Sequence, residues 1–163
     1  RLLGFGNGGG QAIQKSALRA PSSKGLMFPR PMMHDETLNF SFSGLKTAVL
    51  REWKKHEQHS EALVNAFAHE IEEAVTDVLV AKTIHSARQY NVKSILISGG
   101  VAANMRLRQK LMEGATYYRL YIPPVSLCTD NAVMIAAFAF FKGKPMSWQK
   151  ITALPDLSVE ENI

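Results

Sequence analysis

The chain has 163 residues, 46% of them hydrophobic and 20% charged. This excludes a disordered segment and allows one domain with a real core, but not two full domains. Lys and Arg number 19 against 14 Asp and Glu, a net +5, which suits a polyanionic partner and equally a solvated basic surface. The single cysteine, Cys128, excludes an internal disulfide and a cysteine-based zinc finger and fits a reducing compartment. No apolar run approaches the roughly 18 residues needed to cross a bilayer.

The chain opens on Arg1 rather than Met, and its first residues read as the middle of a longer polypeptide. A preceding domain is therefore expected. Residues 4–10 hold five glycines in seven positions, a loop where backbone can approach a ligand closely, or a flexible connector. A short helix is expected over 11–19. A loop follows to Met33, punctuated by Pro21, Pro29 and Pro31. The alternation Leu38-Asn39-Phe40-Ser41-Phe42 predicts a short strand. Ser43 then suits the cap of a helix whose face carries Leu45, Ala48, Val49 and Trp53.

A longer helix is predicted from Ser60 to Tyr90, roughly 45 Å long. Its stripe is Leu63, Ala66, Phe67, Ile71, Ala74, Val75, Val78 and Leu79. Residues 94–97 suit a buried strand, a helix should run from about Ala102 to Met112, and Tyr117 to Ile122 suits a second strand. Pro123-Pro124 breaks the chain, and a final helix is expected from Asn131 to Phe141. The tail from Lys142, with Gly143, Pro145 and Pro155, reads as irregular. This alternation predicts an α/β layered domain, mainly helical over 37–92 and strand-helix-strand-helix over 93–142.

Three runs carry candidate chemistry. Ser98-Gly99-Gly100-Val101-Ala102-Ala103-Asn104 follows a predicted strand and opens a helix. Ligands of open α/β sheets bind at such turns, and helix N–H groups favour an anion there. Asn104 suits a ribose or base edge; satisfying local backbone is the alternative. Leu127-Cys128-Thr129-Asp130-Asn131 holds the equivalent place after the next strand. There Asp130 is a metal ligand, or Thr129 or Asp130 is a helix cap; one carboxylate cannot hold a catalytic metal unaided. In Ser43-Gly44-Leu45-Lys46, a lysine in the first helical turn opposes the helix dipole, so Ser43 and Lys46 suit an anion contact, or Lys46 is simply solvated.

Neither a dinucleotide-binding glycine motif nor a phosphate-binding loop spacing is present. His56 and His59 read as a solvated helix end. His69-Glu70-Ile71-Glu72-Glu73 resembles a zincin motif, but Glu73 stands where the second histidine belongs. Charge on an exposed helix face explains it better. Cys128 has no His or Lys beside it in sequence to activate it.

Four motifs stand in the order found in the TsaD family. They are Phe28-Pro29-Arg30-Pro31-Met32, Phe40-Ser41-Phe42-Ser43-Gly44-Leu45-Lys46-Thr47, Ser98 to Asn104, and Cys128-Thr129-Asp130-Asn131-Ala132-Val133-Met134-Ile135-Ala136. The chain resembles the carboxy-terminal portion of these tRNA threonylcarbamoyl-adenosine transferases, formerly labelled O-sialoglycoprotein endopeptidases. The resemblance implies an actin-like ATPase (ASKHA, ribonuclease H-like) lobe with a helical insertion, incomplete without its amino-terminal lobe. It implies transfer of threonylcarbamoyl from threonylcarbamoyl-AMP to N6 of the adenosine beside the anticodon.

Residue by residue, Gly10 matches a glycine of the nucleotide-site turn, although Gly8 stands where the family has proline. Gly99, Gly100 and Asn104 match adenylate-contacting positions, and Asp130 matches a metal ligand. The family's His-x-x-x-His metal motif and an upstream substrate-binding aspartate have no counterpart here. The resemblance further implies one divalent metal, iron or zinc, and ATP or threonylcarbamoyl-AMP as the nucleotide. It implies tRNA and other threonylcarbamoyl-adenosine synthesis proteins as partners, no membrane, and a cytoplasmic or, alternatively, mitochondrial location. No catalytic residue is assigned. A metalloprotease and a non-catalytic partner-binding lobe are the other readings.

Overall fold

The computed structural model describes residues 2–6, 8–20, 22–23, 25–150 and 152. Pro21 and Pro155, expected as breakers, lie outside them. The chain forms two compact units, Arg1–Thr129 and Asp130–Ile163.

The first unit is built on one helix. α1 spans Gly9–Ala17, α2 Ser43–Trp53 and α3 Glu61–Gln89. β1 spans Ser94–Leu96, α4 Met105–Gly114 and β2 Arg119–Tyr121. The strands pair in parallel, Ser94 with Arg119 and Leu96 with Tyr121, and make a two-stranded sheet. The predicted alternation of helix and strand is therefore present, in a helix-rich unit with a small sheet.

α3 starts where Ser60 Oγ accepts from Leu63 N at 3.3 Å, satisfying one of the free N–H groups of the first turn. It stops at Asn91, which takes the left-handed conformation (φ 49°) that asparagine tolerates, while Val92 N donates back to Ala87 O. Its 29 residues run about 43 Å. Phe67, Ala68, Ala74 and Val78 are fully buried, and positions outside the predicted stripe are buried too, among them Glu70, Glu72 and Lys82. Lys82 Nζ reaches the carbonyl oxygens of Asp35 (2.9 Å) and Thr37 (2.5 Å), which fastens the preceding loop to the helix.

The main core gathers Leu3, Ala17, Phe28, Leu45, Val49 and Trp53 around Phe67 and Ala68. Phe67 meets Trp53 edge-on at 4.8 Å and Phe28 at 5.5 Å between centroids, arrangements that add to area burial. The histidines expected in a solvated helix end follow α2, His59 exposed and His56 half-buried, and both touch aromatic rings of this cluster. His59 stacks on Trp53 at 3.9 Å, and His56 meets Phe67 edge-on. α4 ends against α3 at Gly114, where an added Cβ would stand 2.8 Å from Ile84 Cδ1 and would require that side chain to shift.

Several local expectations are corrected. Residues 39–42 are irregular rather than a strand; no neighbouring strand pairs with them, and alternation alone supplies no ladder. Ser43 is the first residue of α2 rather than its cap, and its N–H is accepted by Ser41 Oγ at 3.3 Å. The helix predicted from Ala102 is preceded by a separate 3-10 turn, Gly100–Ala103.

The second unit holds α5, Ala132–Lys142. Asn131 Oδ1 caps it by accepting from Met134 N at 3.0 Å, so neither Thr129 nor Asp130 has the expected capping role. Its apolar side chains, including Ile135, Phe138, Phe140 and Phe141, are exposed.

Phe67→Ala should destabilise the chain by about 3–5 kcal/mol, the usual cost of an aromatic cavity. Equilibrium urea unfolding measures it, and a loss below about 1 kcal/mol would show that the aromatic cluster does not organise this core.

Candidate functional site

The turn from Ser98 to Asn104 follows β1 and leads into α4. Gly99 sits at φ 83°, ψ 172°, a conformation that side chains resist, so the residue before the 3-10 turn is a glycine for conformational reasons. Gly99 and Gly100 are exposed, and a Cβ on either would meet open space. Asn104 is half-buried and caps α4, its Oδ1 accepting from Leu107 N at 2.8 Å. Its Nδ2 donates to Glu72 Oε1 at 2.6 Å. The local backbone role is thus present, and it leaves ligand capacity on the amide.

Gly10 lies in the first turn of α1, exposed and with open space where a Cβ would stand. One turn on, Gln14 Oε1 accepts from Met105 N at 2.8 Å. This bond joins the start of α4 to α1, so Gly10, Gly99, Gly100 and Asn104 lie on helix starts that are tied together. Ser43 and Lys46 are exposed on α2. Asp130 is exposed at the start of the second unit.

Arg108 is a buried cation that sequence reasoning missed. Its Nε donates to Ala102 O at 2.6 Å, and its Nη2 to Pro123 O at 2.7 Å and Cys128 Sγ at 3.0 Å. One guanidinium therefore ties the turn after β1 to the turn after β2. Cys128, with no cation beside it in sequence, has one beside it in space. Arg108 is buried because its planar fork reaches two carbonyls that would otherwise lose their partners.

The acids of the zincin-like run are not on an exposed face. Glu70 and Glu72 are buried, and Glu73 is partly buried. Arg30 bonds both Glu70 and Asp77, Arg106 bonds Glu73, and Lys110 bonds Glu73 and Asp77. Glu70 also accepts from Phe28 N at 3.0 Å. Glu70 and Glu73 are thus each engaged by cations, while Glu72 accepts from the Asn104 amide instead. Burial by itself pushes the Glu73 carboxyl up, but the hydrogen bonds from Arg106 and Lys110, with their charges, outweigh it and hold it at about 2.

Among the described residues no group of three or more His, Cys, Asp or Glu side chains converges to hold a metal, and no helix is long and apolar enough to cross a membrane. A separate cleft of about 450 Å³ lies between α3 and the edge of β1, lined in part by Leu38, Phe40, Lys82, Tyr90 and Ile95. None of the predicted site residues lines it.

Comparison with known proteins places these residues in a family. The sequence model of TsaD, tRNA N6-adenosine threonylcarbamoyltransferase, matches residues 1–137. The chain belongs to the TsaD family. A Thermotoga neapolitana protein named tRNA N6-adenosine threonylcarbamoyltransferase is 46% identical over 146 residues, covering 88% of this chain and 43% of the relative. A Dehalococcoides mccartyi protein of the same name is 46% identical over 165 residues, covering 98% of this chain and 47% of the relative. The chain thus spans less than half the length of these TsaD relatives.

Glu73 contributes stability that is complete above its unfolded value of 4.5 and is lost as pH falls toward about 2. The urea midpoint of the wild type should therefore drop between pH 5 and pH 2 more steeply than that of Glu73→Gln. Parallel curves would show that the carboxylate is not held by Arg106 and Lys110.

Proposed function

We propose that this chain forms part of a tRNA-modifying acyltransferase. The enzyme moves threonylcarbamoyl from threonylcarbamoyl-AMP to N6 of the adenosine beside the anticodon, and AMP leaves. The chain supplies one wall of the adenylate site. The observation that carries this reading is the Gln14–Met105 bond, because it couples the glycine-rich start of α1 to the turn holding Gly99, Gly100 and Asn104. The first N–H groups of α1 lack intrahelical acceptors and suit a phosphate. The glycines keep side chains out of its path, and Asn104 binds a hydroxyl or base edge through the amide atoms its cap leaves over. Ser43 and Lys46 offer an anion contact on α2.

The architecture proposed is an actin-like lobe, with 37–92 as its helical segment and 93–142 as the site segment. An amino-terminal lobe supplies the other wall. The shortfall in length against the relatives supports this, as do the exposed apolar side chains of α5. The residues described do not form a metal centre on their own. Asp130 is proposed as one ligand of a divalent iron or zinc whose other ligands come from the amino-terminal lobe. When bound, such a metal supplies positive charge against the phosphate. The net charge of +5 suits tRNA. Other threonylcarbamoyl-adenosine synthesis proteins are proposed partners, and the cytoplasm the location, with the mitochondrion as the alternative.

The test is titration calorimetry of the chain with AMP. Asn104→Ala should weaken binding about tenfold, or about 1.4 kcal/mol. Equal affinity in wild type and variant would remove Asn104 from the site. Threonylcarbamoyl transfer to tRNA by the 163-residue chain alone should be undetectable.

A further inference from the structure

We propose that Glu72 is a positioning residue that fixes the carboxamide of Asn104 for ligand binding; the inference rests on the adenylate-site reading of Asn104. A carboxamide has two nearly isosteric ends, and either can face a given neighbour. Here both directions are decided. Leu107 N–H requires an acceptor, which is Asn104 Oδ1 at 2.8 Å. The Glu72 carboxylate accepts only, so it requires the Nδ2 end, at 2.6 Å. One N–H and one lone pair of Asn104 remain, each with a fixed direction. The cap alone would leave the amide free to swing about its Oδ1 contact, so the second anchor decides where that N–H points.

Glu72 is well placed for this task. It is only 8% exposed and stands on α3 between fully buried Ala68 and Thr76, which is 2% exposed. Thr76 Oγ1 donates to the Glu72 carbonyl at 2.7 Å. No salt bridge to Glu72 is present among the described residues, unlike Glu70 and Glu73 on the same helix. Burying a carboxylate against a neutral amide is costly for stability. A charge-assisted bond to Asn104 offsets part of that cost and orients the amide more firmly than a neutral partner would.

The experiment titrates AMP into the 163-residue chain by calorimetry and follows exchange of the Asn104 side-chain amide protons by NMR. Glu72→Gln still offers Nδ2 an acceptor; it should bind AMP close to wild type and keep the amide protons protected. Glu72→Leu and Glu72→Ala remove the acceptor; they should bind roughly tenfold more weakly and lose the protection. In an Asn104→Ala background, Glu72→Leu should cost no further affinity, because its effect runs through Asn104. Unchanged AMP affinity despite lost protection overturns the positioning role and leaves the adenylate site standing. Protection unchanged in both variants overturns it as well, as does failure of both to fold, which would make Glu72 purely structural. A wild-type chain that does not bind AMP overturns the adenylate reading and this inference with it.

Discussion

A row of acids along one helix holds the first unit together. Glu70, Glu73 and Asp77 follow one another at helical spacing on α3, and each faces a cation from another part of the chain. Arg30 brings in the loop after α1, while Arg106 and Lys110 bring in α4. The charges balance, three against three, so no member is left uncompensated in a partly buried setting. A single buried pair contributes little net stability, because desolvation offsets attraction. Removing one member of a closed set is costly, since it strands the others. The network thus fixes geometry more than it adds free energy: it sets where α4 begins relative to α3. The Asn104 cap stands one residue before that start.

Much of this was legible in the chain, and the failures have a common cause. The long helix was readable because twenty-nine residues without Gly or Pro leave few alternatives. The strand-turn-helix at 94–104 was readable because an apolar run met two glycines and an asparagine. The acids of α3 read as solvated because an isolated Glu belongs in water, and their partners lie 32 to 47 residues away. Ala68 and Thr76, one turn to either side of Glu72, carried a usable signal: buried small residues flanking an acid mark a helix face that packs against a neighbour. Arg108 had no signal of that kind, since its acceptors are backbone carbonyls and a thiol that only folding assembles.

The strand expected at 38–42 failed for a different reason. Alternation describes a side-chain pattern, whereas a strand exists only if another strand accepts its ladder. The same segment is held instead through backbone carbonyls. Lys82 takes two of them just upstream, and His85 Nε2 lies 3.2 Å from Glu36 O. A buried lysine satisfied by carbonyls is a tertiary solution that no local propensity encodes.

Capping and ligand binding are often weighed as rival explanations for an asparagine at a helix start. On the proposed reading of Asn104 they are complementary. A cap consumes one lone pair of Oδ1 and fixes one torsional degree of freedom; the carboxylate of Glu72 consumes one N–H and fixes the other. What remains is a donor and an acceptor whose directions depend on α3 and α4 rather than on solvent. Arg108 adds the next constraint, because it anchors the carbonyl of Ala102, two residues upstream, to the turn after β2. A turn made of two glycines, Val101 and two alanines has little side-chain packing to hold its shape. Its order is supplied by one acid on α3 and one guanidinium on α4, while Gly99 and Gly100 stay exposed.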